Sequence, residues 1–334
     1  MEKSMNGLCV TENGGLELRR VPLPAEAAPG HLLIRVIASG INGGDKAFLS
    51  RAMVPGAIAL SRYGVWGVSL AGEVVAVGAG VPERYKGAFV AGYRSLMPSE
   101  HMVGTWSEYA LLPWLSCVIL PAGVEAEDYA GSLANIITPY AFLQQVREEG
   151  HRGILSTAGS SATGLAMLGL SLAYGFPLVS IVRSAEAKAR LVALGATHVL
   201  VQTDADFRKQ LERLAGELRA TAVFDGVGGA GLNPILDVLP VDSTVYAYGY
   251  LGGPIPLSFH TSVLQRGLTI TRFSNFRTAT VRDPQRLEKA LLDIGELIHE
   301  PYFRTKPGPR FSLGEISSAM AYVGPEGEKA ILRP

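Results

Sequence analysis

The stretch Gly153-Ile-Leu-Ser-Thr-Ala-Gly-Ser-Ser-Ala-Thr-Gly164 indicates the fold of this chain more strongly than any other stretch. A short apolar run leads into a turn of small residues and the start of a helix, and the next apolar run ends at Arg183. Small residues let a backbone approach a pyrophosphate closely, and a helix N-terminus offers that anion free N–H groups and a favourable dipole. This layout predicts a dinucleotide-binding βαβ unit.

The end of the second apolar run predicts which dinucleotide binds. An acidic residue at this point favours the ribose hydroxyl of NAD, but this run ends in Arg183 and Ser184, and Lys188 follows them. A guanidinium makes paired hydrogen bonds to a phosphate, and Ser and Lys add further donors. We therefore expect NADPH as the cofactor. The alternative is that these three residues form a solvated helix start.

The glycines of the turn depart from the ideal fingerprint. The expected first glycine is Ala158 or Gly159, depending on the register, and Ser161 stands where a second glycine is expected. A glycine fingerprint alone is a weak signal, so a generic strand-to-helix turn is the alternative. The predicted pyrophosphate contacts are Gly159, Ser160, Ser161, Ala162, Thr163 and Gly164.

Length and composition limit the function classes. A chain of 334 residues exceeds what one core usually supports, which predicts two domains. Thirty basic residues balance thirty acidic ones, so no nucleic-acid or acidic-membrane partner is favoured. The two cysteines, Cys9 and Cys117, are too few for a four-thiolate zinc site or a disulfide framework. The N-terminal residues show no signal-peptide pattern. We expect a cytoplasmic protein that acts on a small molecule.

Segment 153–182 has no charged residue and is long enough to suggest a membrane span. Pro177 interrupts it, however, and several glycines, serines and threonines lie within it. We interpret it as a buried strand, a buried helix over 163–174 and a second buried strand, since interior parallel strands are apolar without alternation.

Secondary-structure signals divide the chain into two parts. Candidate strands before residue 125 lie at 32–38, 69–77, 108–113 and 117–121, and glycine-rich turns follow the first two. These short strands predict a mostly β, barrel-like domain. From about residue 128, strands alternate with helices, which predicts a Rossmann-like, doubly wound parallel sheet in an α/β domain. We place this domain at 126–264 and the barrel-like domain at 1–125 and 265–334, with the tail packing back on the N-terminal part.

Several stretches, in order along nearly the whole chain, carry a resemblance to a known family. They are 30–45 with its Asn-x-x-Asp turn, 72–81, 104–110, 138–141, 185–199, 224–229 and 327–334. They are similar to the medium-chain dehydrogenase/reductases, in the zinc-independent branch that includes quinone oxidoreductases and 2-enoyl thioester reductases. The resemblance implies a GroES-like catalytic domain beside the nucleotide domain. It also implies a homodimer through an edge strand near 243–256.

The zinc alcohol dehydrogenases of this superfamily hold their metal with a Cys and a Gly-His-Glu turn. Here Gly40-Ile-Asn-Gly-Gly-Asp45 replaces the Cys segment, and Gly67-Val-Ser-Leu-Ala-Gly72 replaces the Gly-His-Glu turn. Without thiolate or imidazole at these points no tetrahedral zinc site forms, so we predict chemistry without metal. Reduction of a polarised C=C bond fits, because hydride goes to the β-carbon and the enolate oxygen needs only hydrogen-bond donors.

Three functions follow from these observations. The first is an NADPH-dependent reductase of an α,β-unsaturated carbonyl, with an enoyl-CoA-type thioester as the substrate. The second is an NADPH-dependent quinone oxidoreductase. The third is a non-catalytic NADPH-binding structural or sensing protein, a hypothesis to which the imperfect glycine turn and the missing family Tyr after the Asn-x-x-Asp turn give some weight.

The resemblance also implies site residues in the catalytic part. Asn42 corresponds to a residue that faces the nicotinamide or the substrate carbonyl, although it could simply form the turn before two glycines. Thr138 resembles a nicotinamide contact, or else it caps the turn before Pro139. Enoyl reductases of the family carry a Tyr soon after the Asn-x-x-Asp turn, but this chain has none there. Tyr63 is the nearest phenol and Tyr93 a further candidate, the alternatives being a packed aromatic residue and a water donor.

The remaining predicted contacts follow later strands. For the cofactor they are Gly226, Val227, Gly249, Tyr250 and Phe273, and for a coenzyme A phosphate they are Arg272 and Arg277. Ordinary turn geometry and solvated loop charges are the alternatives. We expect the loops 48–66 and 272–283 to shape the substrate pocket.

Overall fold

The computed structural model describes residues 3–49, 61–253, 255–324 and 327–334. Its strands are β1 (Ser4–Val10), β2 (Leu16–Pro22), β3 (His31–Gly40), β4 (Ser69–Val77), β5 (Phe89–Tyr93), β6 (Tyr109–Pro113), β7 (Cys117–Ile119), β8 (Ile154–Ser156), β9 (Leu178–Val182), β10 (Val199–Val201), β11 (Ala222–Asp225), β12 (Thr244–Ala247), β13 (Thr269–Arg272), β14 (Pro307–Ser312) and β15 (Lys329–Arg333). Its α-helices are α1 (Gly43–Leu49), α2 (Ser132–Glu148), α3 (Ala162–Tyr174), α4 (Ala185–Ala193), α5 (Phe207–Glu217), α6 (Asn233–Leu236), α7 (Ala279–Arg282), α8 (Pro284–Leu297) and α9 (Ile316–Ala321). Residues 50–60 of the expected pocket loop lie outside the described residues.

The chain divides into two compact units. The first, unit 1, comprises Met1–Asn135 and Leu287–Pro334, and the second, unit 2, comprises Ile136–Arg286. The two-part organisation therefore agrees with the sequence analysis, but the boundaries fall later than the predicted residues 126 and 264.

Unit 2 contains a six-stranded parallel sheet in the order β10-β9-β8-β11-β12-β13. Its strands are short and apolar, and Leu155, Val179, Val223 and Val245 are fully buried within one core cluster. Strands that are buried on both faces need this continuous apolar composition. The predicted Rossmann-like sheet is confirmed, and segment 153–182 forms β8, α3 and β9 as interpreted.

The last strand of this sheet explains the shifted boundary. Strand β13 pairs in parallel with β12, from Thr244 opposite Thr269 to Ala247 opposite Arg272, so unit 2 extends beyond residue 264. The prediction of an open edge strand near 243–256 was wrong in its position, because β12 is paired on both sides. The sheet ends instead at β13, and homodimerisation stays a prediction.

Unit 1 contains a seven-stranded sheet in which β3 is the central element. Strands β4, β6 and β15 all pair antiparallel with β3, whose ten residues are mostly buried. Leu332 lies opposite Ser39 and Ile331 opposite Gly40, so the C-terminal strand returns to the N-terminal part as predicted. Because this pairing is antiparallel, the start of β15 lies near the turn that follows β3.

The hydropathy of the helices agrees with a role in covering sheets. Among the described residues no helix is both long enough and apolar enough to cross a membrane. Helix α3 has only thirteen residues, and most of the side chains between Gly164 and Ser171 are buried.

Candidate functional site

The turn between β8 and α3 has the form expected for a pyrophosphate site. The Gly159 N–H donates to the Ile181 carbonyl at 2.9 Å, which ties the turn to β9. Ser161 caps α3, and its Oγ accepts from the Gly164 N–H at 3.1 Å. Ala158 has a φ of 50°, in the left-handed region that favours glycine. The predicted residues 159–164 thus form a tight turn and the first helical turn.

Gly164 permits a close approach between α3 and this turn. A Cβ atom placed on Gly164 would lie 2.4 Å from the Ala158 carbonyl oxygen and 2.6 Å from that of Gly159. Both distances are far below van der Waals contact, and both partners are backbone atoms. The hydrogen of glycine is therefore needed here, which matches the packing role of the last glycine in the fingerprint.

A buried hydrogen-bond network connects this turn to the end of β11. Thr157 Oγ1 donates to Asp225 Oδ1 at 2.6 Å and accepts from the Gly226 N–H at 2.9 Å. The Asp225 carboxylate also accepts from the N–H groups of Val227 and Gly228, at 3.1 and 2.9 Å. Burial raises the pKa of Asp225, and these hydrogen bonds oppose that rise. The network holds the ends of β8 and β11 in a fixed relation.

The turn after β12 pairs with the turn after β11. The Leu251 N–H donates to the Gly226 carbonyl at 3.0 Å, and the Gly252 N–H donates to the Val227 carbonyl at 2.8 Å. The predicted cofactor contacts Gly226, Val227, Gly249 and Tyr250 therefore lie together at the carboxyl end of the sheet. The Tyr250 side chain is 63% exposed and open to a ligand. Ligands of open α/β sheets bind at this edge.

The basic residues after β9 are positioned to contact an anion. Arg183 directly follows β9, which neighbours β8, and its side chain is exposed. Ser184 is the N-cap of α4, and its Oγ accepts from the Ala187 N–H at 3.2 Å. Within the described part of the chain, no acidic side chain pairs with Arg183 or Lys188. The Ser184 hydroxyl is engaged in capping α4, whereas neither cation has an acidic partner among the described residues.

Of two further predicted cofactor contacts in unit 2, one packs in the core and the other lies inside a helix. Phe273 is buried, and its ring lies 5.3 Å from that of Phe142 and 5.8 Å from that of Phe224, so it packs in an aromatic core. Thr138 lies inside α2, which continues through Pro139, so the alternative that it caps a turn was wrong. The predicted substrate contacts are both exposed: Arg272 ends β13, and Arg277 lies in the short helical turn that follows. None of the described acidic residues pairs with either of them.

Unit 1 surrounds Asn42 with polar groups. Asn42 is 8% exposed, its Nδ2 donates to Ser69 Oγ at 2.9 Å, and its Oδ1 accepts from Lys329 Nζ. Its backbone N–H donates to Asp45 Oδ2 at 2.9 Å. Asn42 therefore does begin the turn into α1, as the turn-forming alternative predicted. Its side chain is also held by two hydrogen-bond partners.

The charges around Asn42 are unusual for a protein interior. Asp45 is fully buried, and burial raises its pKa to about 7, although the Asn42 N–H and the cations Arg94 and Lys329 oppose this rise. Burial lowers the pKa of Lys329 to about 8 and that of Arg94 to about 10, and in both cases the Asp45 carboxylate opposes the shift. Two cations against one carboxyl group make this region favourable for a developing negative charge.

The two candidate phenols differ in their surroundings. Tyr63 is 38% exposed, has a φ of 60°, and lies with its ring 5.3 Å from the Arg62 guanidinium. No described residue hydrogen-bonds to its hydroxyl group. Burial raises the pKa of Tyr93, and the nearby Asp45 adds to the rise. Tyr63 is thus the more accessible of the two, and its role stays a prediction.

Four residues of these clusters were missed by the sequence analysis. Asp225 ends the apolar strand β11 and Thr157 directly follows the apolar strand β8, and that signal was available in the sequence. Ser69 and Lys329 gave no local signal, because they reach Asn42 across 27 and 287 residues of chain.

Comparison with known proteins agrees with both units. Residues 28–122 match the family model of the alcohol dehydrogenase GroES-like domain, and residues 162–293 match that of the zinc-binding dehydrogenases. The chain is 28% identical to a quinone oxidoreductase of Pseudomonas aeruginosa, over 89% of this chain and 88% of the relative. The chain belongs to the medium-chain dehydrogenase/reductase family, in its zinc-independent branch. The predicted GroES-like domain is thereby confirmed.

A further relative and a solved structure are also similar to this medium-chain dehydrogenase/reductase. A mitochondrial enoyl-[acyl-carrier-protein] reductase of Caenorhabditis elegans is 26% identical, over 70% of this chain and 66% of the relative. A mycobacterial protein solved with NADPH has a TM-score of 0.72 and 25% identity, and the match covers 99% of this chain and all of that one.

This medium-chain dehydrogenase/reductase is an enzyme of the oxidoreductase class, so the non-catalytic hypothesis was wrong. The described residues contain no group of three or more His, Cys, Asp or Glu side chains that could hold a metal ion.

Proposed function

We propose that this enzyme reduces the C=C bond of an α,β-unsaturated carbonyl with NADPH, and that its substrate is an enoyl-CoA-type thioester. The observation that carries the proposal is the Asn42 amide, which is held by Lys329 and Ser69 in a region of net positive charge. An amide N–H in such a region stabilises the enolate oxygen that forms when hydride adds to the β-carbon.

The residues of unit 2 fit the cofactor. The turn 159–164 and the N-terminus of α3 would hold the pyrophosphate, and the unpaired Arg183 and Lys188 would hold the 2′-phosphate. Gly226, Val227, Gly249 and Tyr250 would contact the remainder of the nucleotide. When bound, NADPH supplies the hydride. The NADPH-bound mycobacterial relative supports this assignment.

The chain's own residues would act on the substrate in two ways. Asn42 would donate a hydrogen bond to the carbonyl oxygen, and Arg272 with Arg277 would bind phosphates of coenzyme A. A proton must then reach the α-carbon, either from the Tyr63 hydroxyl or from water. The C. elegans enoyl reductase supports a thioester substrate.

A quinone is the second candidate substrate, because the P. aeruginosa relative is a quinone oxidoreductase. The two are separated by NADPH oxidation with purified protein and crotonyl-CoA, a branched enoyl-CoA, an enone and a quinone in parallel. Preferential turnover of a thioester supports the proposal. Turnover of the quinone alone favours the second candidate, and no turnover of any of the four contradicts both.

Removing the Arg183 guanidinium is expected to weaken NADPH binding and to leave NADH binding unchanged. A hydrogen bond between charged groups contributes about 1.5–3 kcal/mol, so the Kd of NADPH should rise roughly ten- to a hundredfold in Arg183→Ala. Cofactor fluorescence titration measures both constants. Lys209→Ala, which removes an exposed cation from α5, serves as the control. An equal loss for NADH and NADPH would contradict the assignment of Arg183 to the 2′-phosphate.

A further inference from the structure

Lys329 fixes which way the Asn42 amide points. An ammonium group has only donors, so the atom of Asn42 that it contacts must be the oxygen, Oδ1. The two ends of an amide side chain are otherwise nearly indistinguishable in shape. Because Oδ1 faces Lys329, Nδ2 faces Ser69, whose Oγ accepts at 2.9 Å.

This orientation leaves one donor unused. The Nδ2 group of Asn42 carries two hydrogens, and only the one directed to Ser69 has a partner within the ranges that the structure describes. The side chain is almost fully buried, so bulk water has little access to it. A buried donor without a partner is costly, and it therefore favours an incoming acceptor such as a carbonyl oxygen.

The backbone holds Lys329 in place for this contact. Lys329 begins β15, which pairs with the end of β3, two residues before Asn42, and the Lys329 N–H donates to the Lys306 carbonyl at 3.0 Å. The Asp45 carboxylate also attracts the ammonium group. Two paired strands thus fix the donor and the acceptor relative to each other, although 287 residues separate them in the sequence.

We propose that Lys329 is a positioning residue for the reaction: it orients the Asn42 amide and polarises it, so that the free Nδ2–H is presented to the substrate oxygen. This inference rests on the proposed function, in which Asn42 is the donor. A positive charge at the amide oxygen draws electron density from the nitrogen and strengthens the remaining N–H as a donor. Lys329 itself need not touch the substrate.

Three variants test this role. Lys329→Met keeps the length and the apolar stem but has no donor, and kcat is expected to fall about tenfold or more while the KM for NADPH is unchanged. Lys329→Gln retains an N–H donor and is expected to recover much of the lost rate. Lys306→Met removes a neighbouring lysine that pairs with Glu328 and serves as the control. Equal rates for the Met and Gln variants at position 329 would overturn the proposal.

A double-mutant cycle shows whether Lys329 acts through Asn42. In the Asn42→Ala background, Lys329→Met is expected to cause no further loss of kcat, because there is no amide left to orient. If the two losses multiply, Lys329 has an independent role and the proposal fails. Urea unfolding of each variant verifies that the chain is folded under the assay conditions.

The positioning role of Lys329 can also be tested independently of the proposed function. If the wild type reduces none of the four substrates, the proposed function fails while the orientation claim is still tested by crystallography. In Lys329→Met the Asn42 side chain is expected to leave its hydrogen bond with Ser69. An unchanged Asn42 rotamer and Ser69 contact in that variant would overturn the claim that Lys329 orients the amide.

Discussion

Replacing Asn42 by Asp is expected to lower kcat by about a hundredfold or more, with the Kd of NADPH within about twofold of the wild type. Aspartate has nearly the same shape and still accepts from Lys329, and the Ser69 hydroxyl can donate to it. It cannot donate a hydrogen bond when ionised, and its negative charge opposes the developing enolate. Initial rates with the best substrate of the panel, together with cofactor titration, measure the two effects.

Asn233→Asp is the matched control for this change. Among the described residues the Asn233 side chain has one hydrogen-bond partner: its Oδ1 accepts from the Ser258 N–H at 3.1 Å, so a carboxylate can replace it without loss of that bond. Its kcat should equal that of the wild type. If Asn42→Asp also retains full kcat, the enolate is stabilised by another group, and the assignment of Asn42 as the donor fails.

Gly164→Ala is expected to lower the free energy of unfolding by roughly 1–3 kcal/mol and to abolish tight NADPH binding. The new methyl group would lie 2.4 Å from the Ala158 carbonyl oxygen and 2.6 Å from that of Gly159. Backbone atoms cannot rotate away as a flexible side chain can, so α3 must move off the turn. The N–H groups at its N-terminus would then no longer face the pyrophosphate. Urea unfolding and NADPH titration measure the two losses.

For a second glycine, Gly216, we expect the same substitution to raise the free energy of unfolding. A Cβ atom placed on Gly216, near the end of α5, would meet nothing within 4 Å. Gly216→Ala is therefore expected to raise the free energy of unfolding, by up to about 1 kcal/mol, because alanine loses less backbone entropy in a helix. If Gly164→Ala proves as stable as Gly216→Ala, the turn relaxes around the methyl group and our account of Gly164 is wrong.

Much of unit 2 could be predicted because its signals are local. The apolar run ending at Ser156, the small residues of the turn and the start of α3 are adjacent in the chain, so their order alone predicts a strand, a turn and a helix. Arg183 follows the next strand directly, and the parallel sheet then places it beside that turn. Backbone conformation and strand order together determine where such residues lie.

Local sequence signals did not predict the surroundings of two other candidate residues. Phe273 follows a predicted strand as the cofactor contacts do, yet its ring packs among aromatic residues of the core. Thr138 precedes a proline, which usually marks a helix boundary, yet α2 continues through it. For Phe273, tertiary packing outweighed the local signal.

The sequence by itself predicted the two-part α/β organisation, the tight turn between β8 and α3 and the basic residues that follow the second strand of the nucleotide domain. Only the tertiary structure decided that Lys329 contacts Asn42, that Thr157 donates a hydrogen bond to Asp225, and that β13 completes the parallel sheet. The reason is physical: helices and turns follow from residues that are near in the chain. The pairing of distant strands depends instead on which side chains pack together once the chain is folded.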